Sequence, residues 1–139
     1  MKIMYEAVAT AKGGRNGQVK SSDGVLNIEV RTPKGLGGPG GAYTNPEQLF
    51  AAGYSACFDS ALNHVAKLKR IPVKDTQVTA TVGIGQLVSG GFGLEVKLEV
   101  KIPDLEKELS EELLQAAHMA CPYSNATRGN VKVELCLVD

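Results

Sequence analysis

Residues 45–69 read NPEQLFAAGYSACFDSALNHVAKLK, and this stretch decides the fold that we predict. Asn45 is a good helix N-cap and Pro46 suits the first helical position, so a long helix begins here. Between positions 48 and 66 the only formal charge is Asp59, and the run is rich in small residues. Such a helix is buried on most sides and lets other backbone approach closely. We therefore predict a central helix that carries Cys57 in its middle.

Alternating segments on both sides of this helix predict strands. The first lies at 3–10, and a hairpin joins 18–21 to 25–32 across Asp23-Gly24. A longer hairpin joins 77–88 to 93–102. A second helix at 111–120, capped by Ser110, and a last strand at 131–138 follow it. This order of elements predicts an α+β fold, with antiparallel sheets packed around a long central helix.

Composition indicates an ordinary globular protein. With 139 residues, 43% of them hydrophobic and 22% charged, we expect a single domain over residues 1–139. Fifteen basic residues balance fifteen acidic ones, which argues against a nucleic-acid or anionic-membrane surface. No leader pattern and no run long enough to span a bilayer is visible, so we expect a cytoplasmic protein.

The three cysteines, Cys57, Cys121 and Cys136, are too few for a disulfide scaffold. Pro122 disfavours helical geometry at the residue before it, so Cys121 is predicted at a helix end. A thiol buried in the middle of a helix is normally inert, because burial raises its pKa and removes the thiolate. Cys57 therefore needs an opening and a nearby cation to react. Cys136, on the last strand, is interpreted as a bystander.

Arg15 is the candidate cation, because the glycines around it in residues 13–17 (GGRNG) permit a tight turn. A solvated loop arginine is the simpler interpretation. Glu47 either complements the helix dipole or holds Arg15 in a bidentate pair. In a straight helix, Glu47 and Cys57 are about 15 Å apart along the axis. If both serve one site, the helix start folds back or Glu47 comes from another subunit.

Four stretches resemble the organic hydroperoxide resistance (Ohr) branch of the Ohr/OsmC family. They are residues 13–15 (GGR), 44–54 (TNPEQLFAAGY), 56–58 (ACF) and 120–130 (ACPYSNATRGN). The resemblance runs essentially end to end, and the last motif is more similar to Ohr than to OsmC. It implies an OsmC-like fold and an intertwined homodimer with both sites at the subunit interface.

The resemblance also implies a thiol peroxidase without a metal or other cofactor, which reduces alkyl and fatty-acid hydroperoxides to alcohols in the oxidative stress response. Cys57 matches the peroxidatic cysteine, which becomes a sulfenic acid, and Cys121 matches the resolving cysteine. Arg15 matches the arginine that stabilises the thiolate and polarises the peroxide, and Glu47 matches the glutamate that orients it. The implied partners are an organic hydroperoxide and, as reductant, dihydrolipoamide or a lipoylated protein.

An oily substrate needs an apolar slot. Seven large apolar residues are candidates for it, although most of them are more typical of plain core: Leu36, Tyr43, Phe50, Tyr54, Phe58, Phe92 and Met119. Arg128 is expected to tie the loop after Cys121.

Two alternatives remain open. One is an OsmC-like peroxidase with a different peroxide preference. The other is a structural or binding domain stabilised by zinc, with Cys57, His64, His118 and Cys121 as the ligands.

Overall fold

The computed structural model describes residues 1–139, which fall into two compact units, 1–49 and 50–139. The single domain that the length predicts stays a prediction. The secondary structure consists of two three-stranded sheets and three α-helices, so the predicted α+β class is confirmed. None of the helices combines the length and the hydropathy that a membrane span requires.

The first unit contains an antiparallel sheet in the order β1-β2-β3, formed by Ala9–Lys12, Gly17–Ser21 and Asn27–Val30. The predicted first strand at 3–10 is wrong, because residues 1–8 form no strand and pairing with β2 begins at Ala9. The predicted hairpin exists, but the N–H of Ser21 bonds to the carbonyl of Leu26 across a loop longer than two residues.

Helix α1 runs from Pro46 to Lys69, close to its predicted bounds. The Asn45 side chain accepts the N–H of Gln48 at 2.9 Å, which confirms the predicted N-cap. At the other end Arg70 takes a left-handed φ of 56°, and the N–H of Ile71 bonds to the carbonyl of Ala66 at 2.9 Å. This is a Schellman ending on a residue other than glycine.

One face of α1 is buried and the opposite face is open, so the prediction of a helix buried on most sides is wrong for the single chain. Small residues on the open face, Ala52, Ala56 and Ser60, are exposed. The buried stripe follows helical spacing, as expected for an amphipathic helix. Its members are Tyr54, Phe58, Ala61, Leu62, Val65 and Ala66.

The second unit contains strands β4 (Gln77–Gln86), β5 (Phe92–Lys101) and β6 (Lys132–Val138), in that order in the sheet. Strand β5 alternates as predicted and turns its apolar face to the core, where the buried stripe of α1 and the apolar face of the second helix meet it. Strands β4 and β5 are antiparallel, but β6 runs parallel to β5. The prediction of purely antiparallel sheets is therefore wrong for β6, since the segment after β5 forms a helical crossover that returns the chain in the same direction.

The crossover consists of helix α2 (Lys107–Ala120) and the short helix α3 (Pro122–Thr127). The predicted cap at Ser110 is wrong, because α2 begins three residues earlier. Ser110 is buried inside the helix, and its hydroxyl donates to the carbonyl of Glu106 at 3.0 Å. The predicted break before Pro122 is confirmed: Cys121 is extended (φ −66°, ψ 122°) between the two helices.

Candidate active site

Two thiols meet where α1 passes the junction of α2 and α3. Cys57 projects from the middle of α1 and is half-buried, whereas Cys121 at the junction is fully buried. Their Sγ atoms are 3.8 Å apart, although the residues are separated by 64 positions in the chain. A disulfide has its sulfurs about 2.05 Å apart, so this is an unbridged contact, close enough that a small movement would allow a bond.

The surroundings of Cys57 in its own unit disfavour the thiolate. Burial raises the pKa of the Cys57 thiol, and the neighbouring Cys121 raises it further. A hydrogen bond from the backbone N–H of Tyr123 acts in the opposite direction and lowers it. The sequence led us to expect that a nearby cation lowers this pKa. Within its own unit the pKa of Cys57 is raised instead, and no cation is among the groups that act on it.

Aromatic rings stack along α1 beside the thiol pair. The ring of Tyr123 lies over Gly53, where an added Cβ would come within 2.9 Å of the Tyr123 hydroxyl oxygen. The centroids of Tyr54 and Tyr123 are 5.6 Å apart, and Phe50 meets the Tyr54 ring edge-on at 5.9 Å. The absent side chain at Gly53 therefore lets α3 approach α1 closely at this point.

The hydroxyl of Tyr54 bonds to two side chains of α3. It lies 3.0 Å from the Ser124 hydroxyl and 3.1 Å from the Thr127 hydroxyl, and all three residues are buried. Sequence reasoning treated Tyr54 as an apolar residue and missed this role. The available signal was the pair of hydroxyl residues three positions apart that follows Cys121.

An apolar pocket of about 410 Å³ opens next to these rings. Its walls come from α1, β5, α3 and the turn before β6, and the lining residues are Phe50, Leu94, Tyr123, Ala126, Thr127, Asn130 and Val131. Of the seven predicted slot residues, Phe50 alone lines this pocket. Tyr54 and Phe58 are fully buried core, and the exposed ones are Leu36, Tyr43, Phe92 and Met119.

Arg15 and Glu47 form a bidentate ion pair in the first unit. The Arg15 Nη1 and Nη2 atoms lie 2.8 Å and 2.6 Å from the two Glu47 carboxylate oxygens. The hydrogen bond from Arg15 lowers the pKa of the Glu47 carboxyl, and the same bond raises the pKa of the guanidinium. Of the alternatives left open by the sequence, the structure has the bidentate pair.

The turn that carries Arg15 depends on glycine. Gly13 has a φ of 84°, and a Cβ at Gly17 would lie 1.9 Å from the Lys12 carbonyl oxygen. The Asn16 side chain accepts the N–H of Thr32 at 3.2 Å and fixes the turn against the chain after β3. The backbone therefore presents the guanidinium from a fixed position.

The histidines do not join the thiols. His64 is exposed on α1, and no group of three or more His, Cys, Asp or Glu side chains is placed to hold a metal ion. The zinc hypothesis built on Cys57, His64, His118 and Cys121 is therefore wrong. Cys136 lies on β6, where its thiol contacts Glu134 at 3.3 Å.

Arg128 ties the segment around Cys121, as predicted. Its Nη2 donates to the carbonyl of His118 at 2.6 Å, and its Nη1 donates to the Asn125 side chain at 2.7 Å. One partner precedes Cys121 and the other follows it, so Arg128 braces the junction of α2 and α3 from the solvent side.

The fold and the thiol pair define a class: an α+β protein with two adjacent, unbridged cysteines at a helix junction. Residues 38–135 match the family model described as OsmC-like protein. A relative named organic hydroperoxide resistance protein from Xanthomonas axonopodis pv. citri is 49% identical over 137 residues, covering 98% of this chain and 96% of its own. The chain belongs to the OsmC-like family, in its organic hydroperoxide resistance (Ohr) branch.

Solved structures give the same result. A crystal structure of an organic hydroperoxide resistance protein from Elizabethkingia anophelis is 60% identical, with a TM-score of 0.96 over 100% of this chain and 99% of that one. The OhrB structure from Bacillus subtilis is 47% identical, with a TM-score of 0.88 over 96% and 98% of the two chains. The OsmC-like fold is thereby confirmed.

Proposed function

We propose that this protein is a cysteine-based peroxidase that reduces organic hydroperoxides in the oxidative stress response. The observation that carries the proposal is the contact between a half-buried thiol and a fully buried one, 3.8 Å apart and unbridged. The names of the similar proteins, organic hydroperoxide resistance proteins, supply the substrate class.

In the proposed reaction Cys57 is the peroxidatic residue. Its thiolate attacks the terminal oxygen of the hydroperoxide, the O–O bond breaks, and the alkoxide takes a proton to leave as the alcohol. Cys57 is oxidised to a sulfenic acid. The thiol of Cys121 then attacks the Cys57 sulfur, so that a disulfide forms and the sulfenic hydroxyl leaves as water. Two electrons and two protons from a dithiol return both cysteines to thiols.

The Arg15–Glu47 pair is the proposed source of the missing positive charge. A cation near a thiol favours the thiolate, and the carboxylate of Glu47 fixes the direction of the guanidinium. Helix α1 is uninterrupted from Pro46 to Lys69, so its start does not fold back. Of the two arrangements that the sequence left open, we therefore propose the second. Arg15 and Glu47 of one subunit serve Cys57 of the other in an intertwined homodimer.

The open face of α1 supports the dimer. Its exposed small residues, Ala52, Ala56 and Ser60, offer a smooth surface to a second copy of the chain. A long helix with small apolar residues turned to water is unusual for a monomer, since apolar helix surface is normally covered.

An organic substrate is favoured over hydrogen peroxide by the apolar pocket of about 410 Å³. Tyr123 links this pocket to the site, because its ring lines the pocket and its backbone N–H lowers the pKa of the Cys57 thiol. Transfer of an alkyl chain from water into such a pocket is favourable, whereas hydrogen peroxide has no apolar surface to bury. The alternative, an OsmC-like peroxidase with another preference, predicts similar rates with both peroxides.

For the reductant we propose a lipoyl dithiol, either dihydrolipoamide or a lipoylated protein, acting in the cytoplasm. Three cysteines are too few for a disulfide scaffold, and bridges in a reducing compartment are usually catalytic or redox-sensing. A dithiol reduces a disulfide in two exchange steps, the second of which is intramolecular and therefore fast.

Substitution of single cysteines tests the proposal. With tert-butyl hydroperoxide and dihydrolipoamide, Cys57→Ser should abolish turnover, because no other thiol occupies its position. Cys121→Ser should still lose the Cys57 thiol to peroxide but form no intramolecular disulfide. Cys136→Ser is the matched control and should retain wild-type turnover. Full peroxidase activity in Cys57→Ser would refute the assignment.

A further inference from the structure

We propose that Tyr54 is a positioning residue for the second step of the reaction: its buried hydroxyl holds Cys121 in reach of the oxidised Cys57. The inference rests on the proposed function, in which Cys121 resolves a sulfenic acid. It concerns a group that touches neither sulfur, so it is separable from the roles of the two cysteines.

The contact of Tyr54 with α3 lies next to the contact between the two thiols. Tyr54 is three residues before Cys57, so both lie on one face of α1. Ser124 is three residues after Cys121, on the chain that passes α1 in the opposite direction. The pairs Tyr54–Ser124 and Cys57–Cys121 are thus neighbouring rungs between the same two segments.

The three hydroxyls have one hydrogen-bond assignment that satisfies them all. The Thr127 hydroxyl donates to the Tyr123 carbonyl, 2.9 Å away, and is therefore free to accept from Tyr54. Tyr54 in turn accepts from the Ser124 hydroxyl. Each of the three hydroxyls then donates one hydrogen bond, and the bonds form a continuous chain. Because all three residues are buried, water cannot replace a bond that is lost. Phenylalanine fills the same space but makes none of these bonds.

Fixing this segment matters because the resolving step has a short range. The sulfurs have to close from 3.8 Å to about 2.05 Å, a movement of about 1.8 Å. Cys121 attacks the Cys57 sulfur, the S–O bond breaks, and water leaves with the proton of the thiol. The rate of such an intramolecular attack depends steeply on the fraction of time that the attacking atom is in line. Without the hydrogen bonds to Tyr54, the Cys121 sulfur should spend less time aligned for this attack.

The first step of the reaction uses the Cys57 thiolate, the peroxide and the proposed charge of Arg15. The Tyr54 hydroxyl bonds to none of them, so this step should change little without it. The segment should also stay folded without the hydroxyl, because Arg128 braces the junction from the other side through His118 and Asn125. Loss of the Tyr54 hydroxyl should therefore cause a selective defect: normal oxidation by peroxide, followed by slow disulfide formation.

The test compares Tyr54→Phe with the wild type after one equivalent of tert-butyl hydroperoxide. Dimedone trapping and acid-quenched mass spectrometry follow the sulfenic acid and the Cys57–Cys121 disulfide over time. We expect unchanged sulfenic acid formation and a disulfide step slower by about tenfold, so that the sulfenic acid accumulates. Tyr5→Phe, at an exposed tyrosine outside the site, is the control and should behave as wild type. Disulfide formation at the wild-type rate in Tyr54→Phe would overturn the inference.

A double variant separates positioning from stability. Tyr54→Phe leaves the buried Ser124 hydroxyl without its partner and should lower Tm, whereas Tyr54→Phe/Ser124→Ala removes both partners and should recover part of it. A positioning role predicts that the disulfide step stays slow after Tm recovers. A rate that recovers together with Tm would assign Tyr54 a structural role only. If the wild type itself forms no such disulfide, the proposed function fails instead.

Discussion

The surroundings of Cys57 within its own unit favour the protonated thiol over the thiolate. Burial and the neighbouring Cys121 raise the pKa of the thiol, and the single N–H of Tyr123 opposes them. A peroxidatic thiol needs the opposite, since the thiolate is the nucleophile. We infer that Arg15 supplies the difference in the working protein, with Glu47 holding the guanidinium through two hydrogen bonds.

Replacement of Arg15 should therefore raise the pKa of Cys57 further. In a Cys121→Ser/Cys136→Ser background Cys57 is the only thiol, and its rate of alkylation by iodoacetamide against pH reports its pKa. Arg15→Ala should move the midpoint to higher pH, and the alkylation rate at neutral pH should fall by about tenfold for each pH unit that the midpoint rises. Arg15→Lys should lie between Arg15→Ala and the parent, because a point charge lacks the fork that grips Glu47. An unchanged midpoint in Arg15→Ala would contradict the role of Arg15.

Residue types indicated the thiols and the ion pair but could not reveal the hydroxyl chain at Tyr54. A tyrosine on an apolar helix face has the same pattern whether its hydroxyl reaches water or a buried partner. The Ser124 and Thr127 hydroxyls that complete the chain are 70 and 73 positions away. That pairing is set by packing between α1 and α3, and no local preference encodes it.

At the scale of elements, the sequence predicted the presence of helices and strands better than their limits and directions. Ser110 prefers N-caps, but the same hydroxyl can bond back to the carbonyl four residues earlier, as it does here inside α2. The alternation in β6 predicted a strand but contains no information on direction, since period two is the same in parallel and antiparallel pairs. Pairing partners decide such features, as they do for the late start of β1.

The free energy of unfolding should fall in mild acid because of His118 on helix α2. Burial lowers the pKa of His118, and Arg128 lowers it further. Its Nδ1 atom is buried without a hydrogen-bond partner. A depressed folded-state pKa means that the unfolded chain binds the proton more tightly. The stabilisation is therefore complete above the unfolded pKa of about 6.5 and is lost as pH falls towards the folded value.

The free energy of unfolding, measured with urea between pH 8 and pH 5.5, checks this expectation. His118→Leu should flatten the decline below about pH 6.5, because the titrating group is gone. His64→Leu carries the same substitution at an exposed position of α1 and should keep the decline. Equal pH profiles for His118→Leu and the wild type would exclude His118 as the cause.

At the scale of the whole molecule, the proposed dimer predicts that two inactive variants restore activity when they are combined. Arg15→Ala and Cys57→Ser should each be nearly inactive alone. If Arg15 of one subunit serves Cys57 of the other, a mixed dimer contains one site with both defects and one intact site. Unfolding and refolding the two variants together should then restore activity up to about a quarter of the wild type, half of the chains being in mixed dimers with one working site of two.

The control for this experiment is each variant refolded with itself, which should recover no activity. Mixing without refolding should also give none while the dimers do not exchange subunits. Should the refolded mixture remain as inactive as its parents, Arg15 and Cys57 would have to act within one chain. That result would leave the roles of the two cysteines intact and remove only the shared arrangement.

In the proposed cycle, the unequal exposure of the two cysteines sets the direction in which electrons return to the protein. Cys121 is fully buried, whereas Cys57 keeps part of its surface open. In the proposed cycle an incoming dithiol can therefore touch the disulfide only at the Cys57 sulfur. The transient mixed disulfide joins the reductant to Cys57, and Cys121 departs first, as the leaving thiolate. The same cysteine thus receives both the oxidant and the reductant, while its partner meets neither and serves as an internal relay between the two half-reactions.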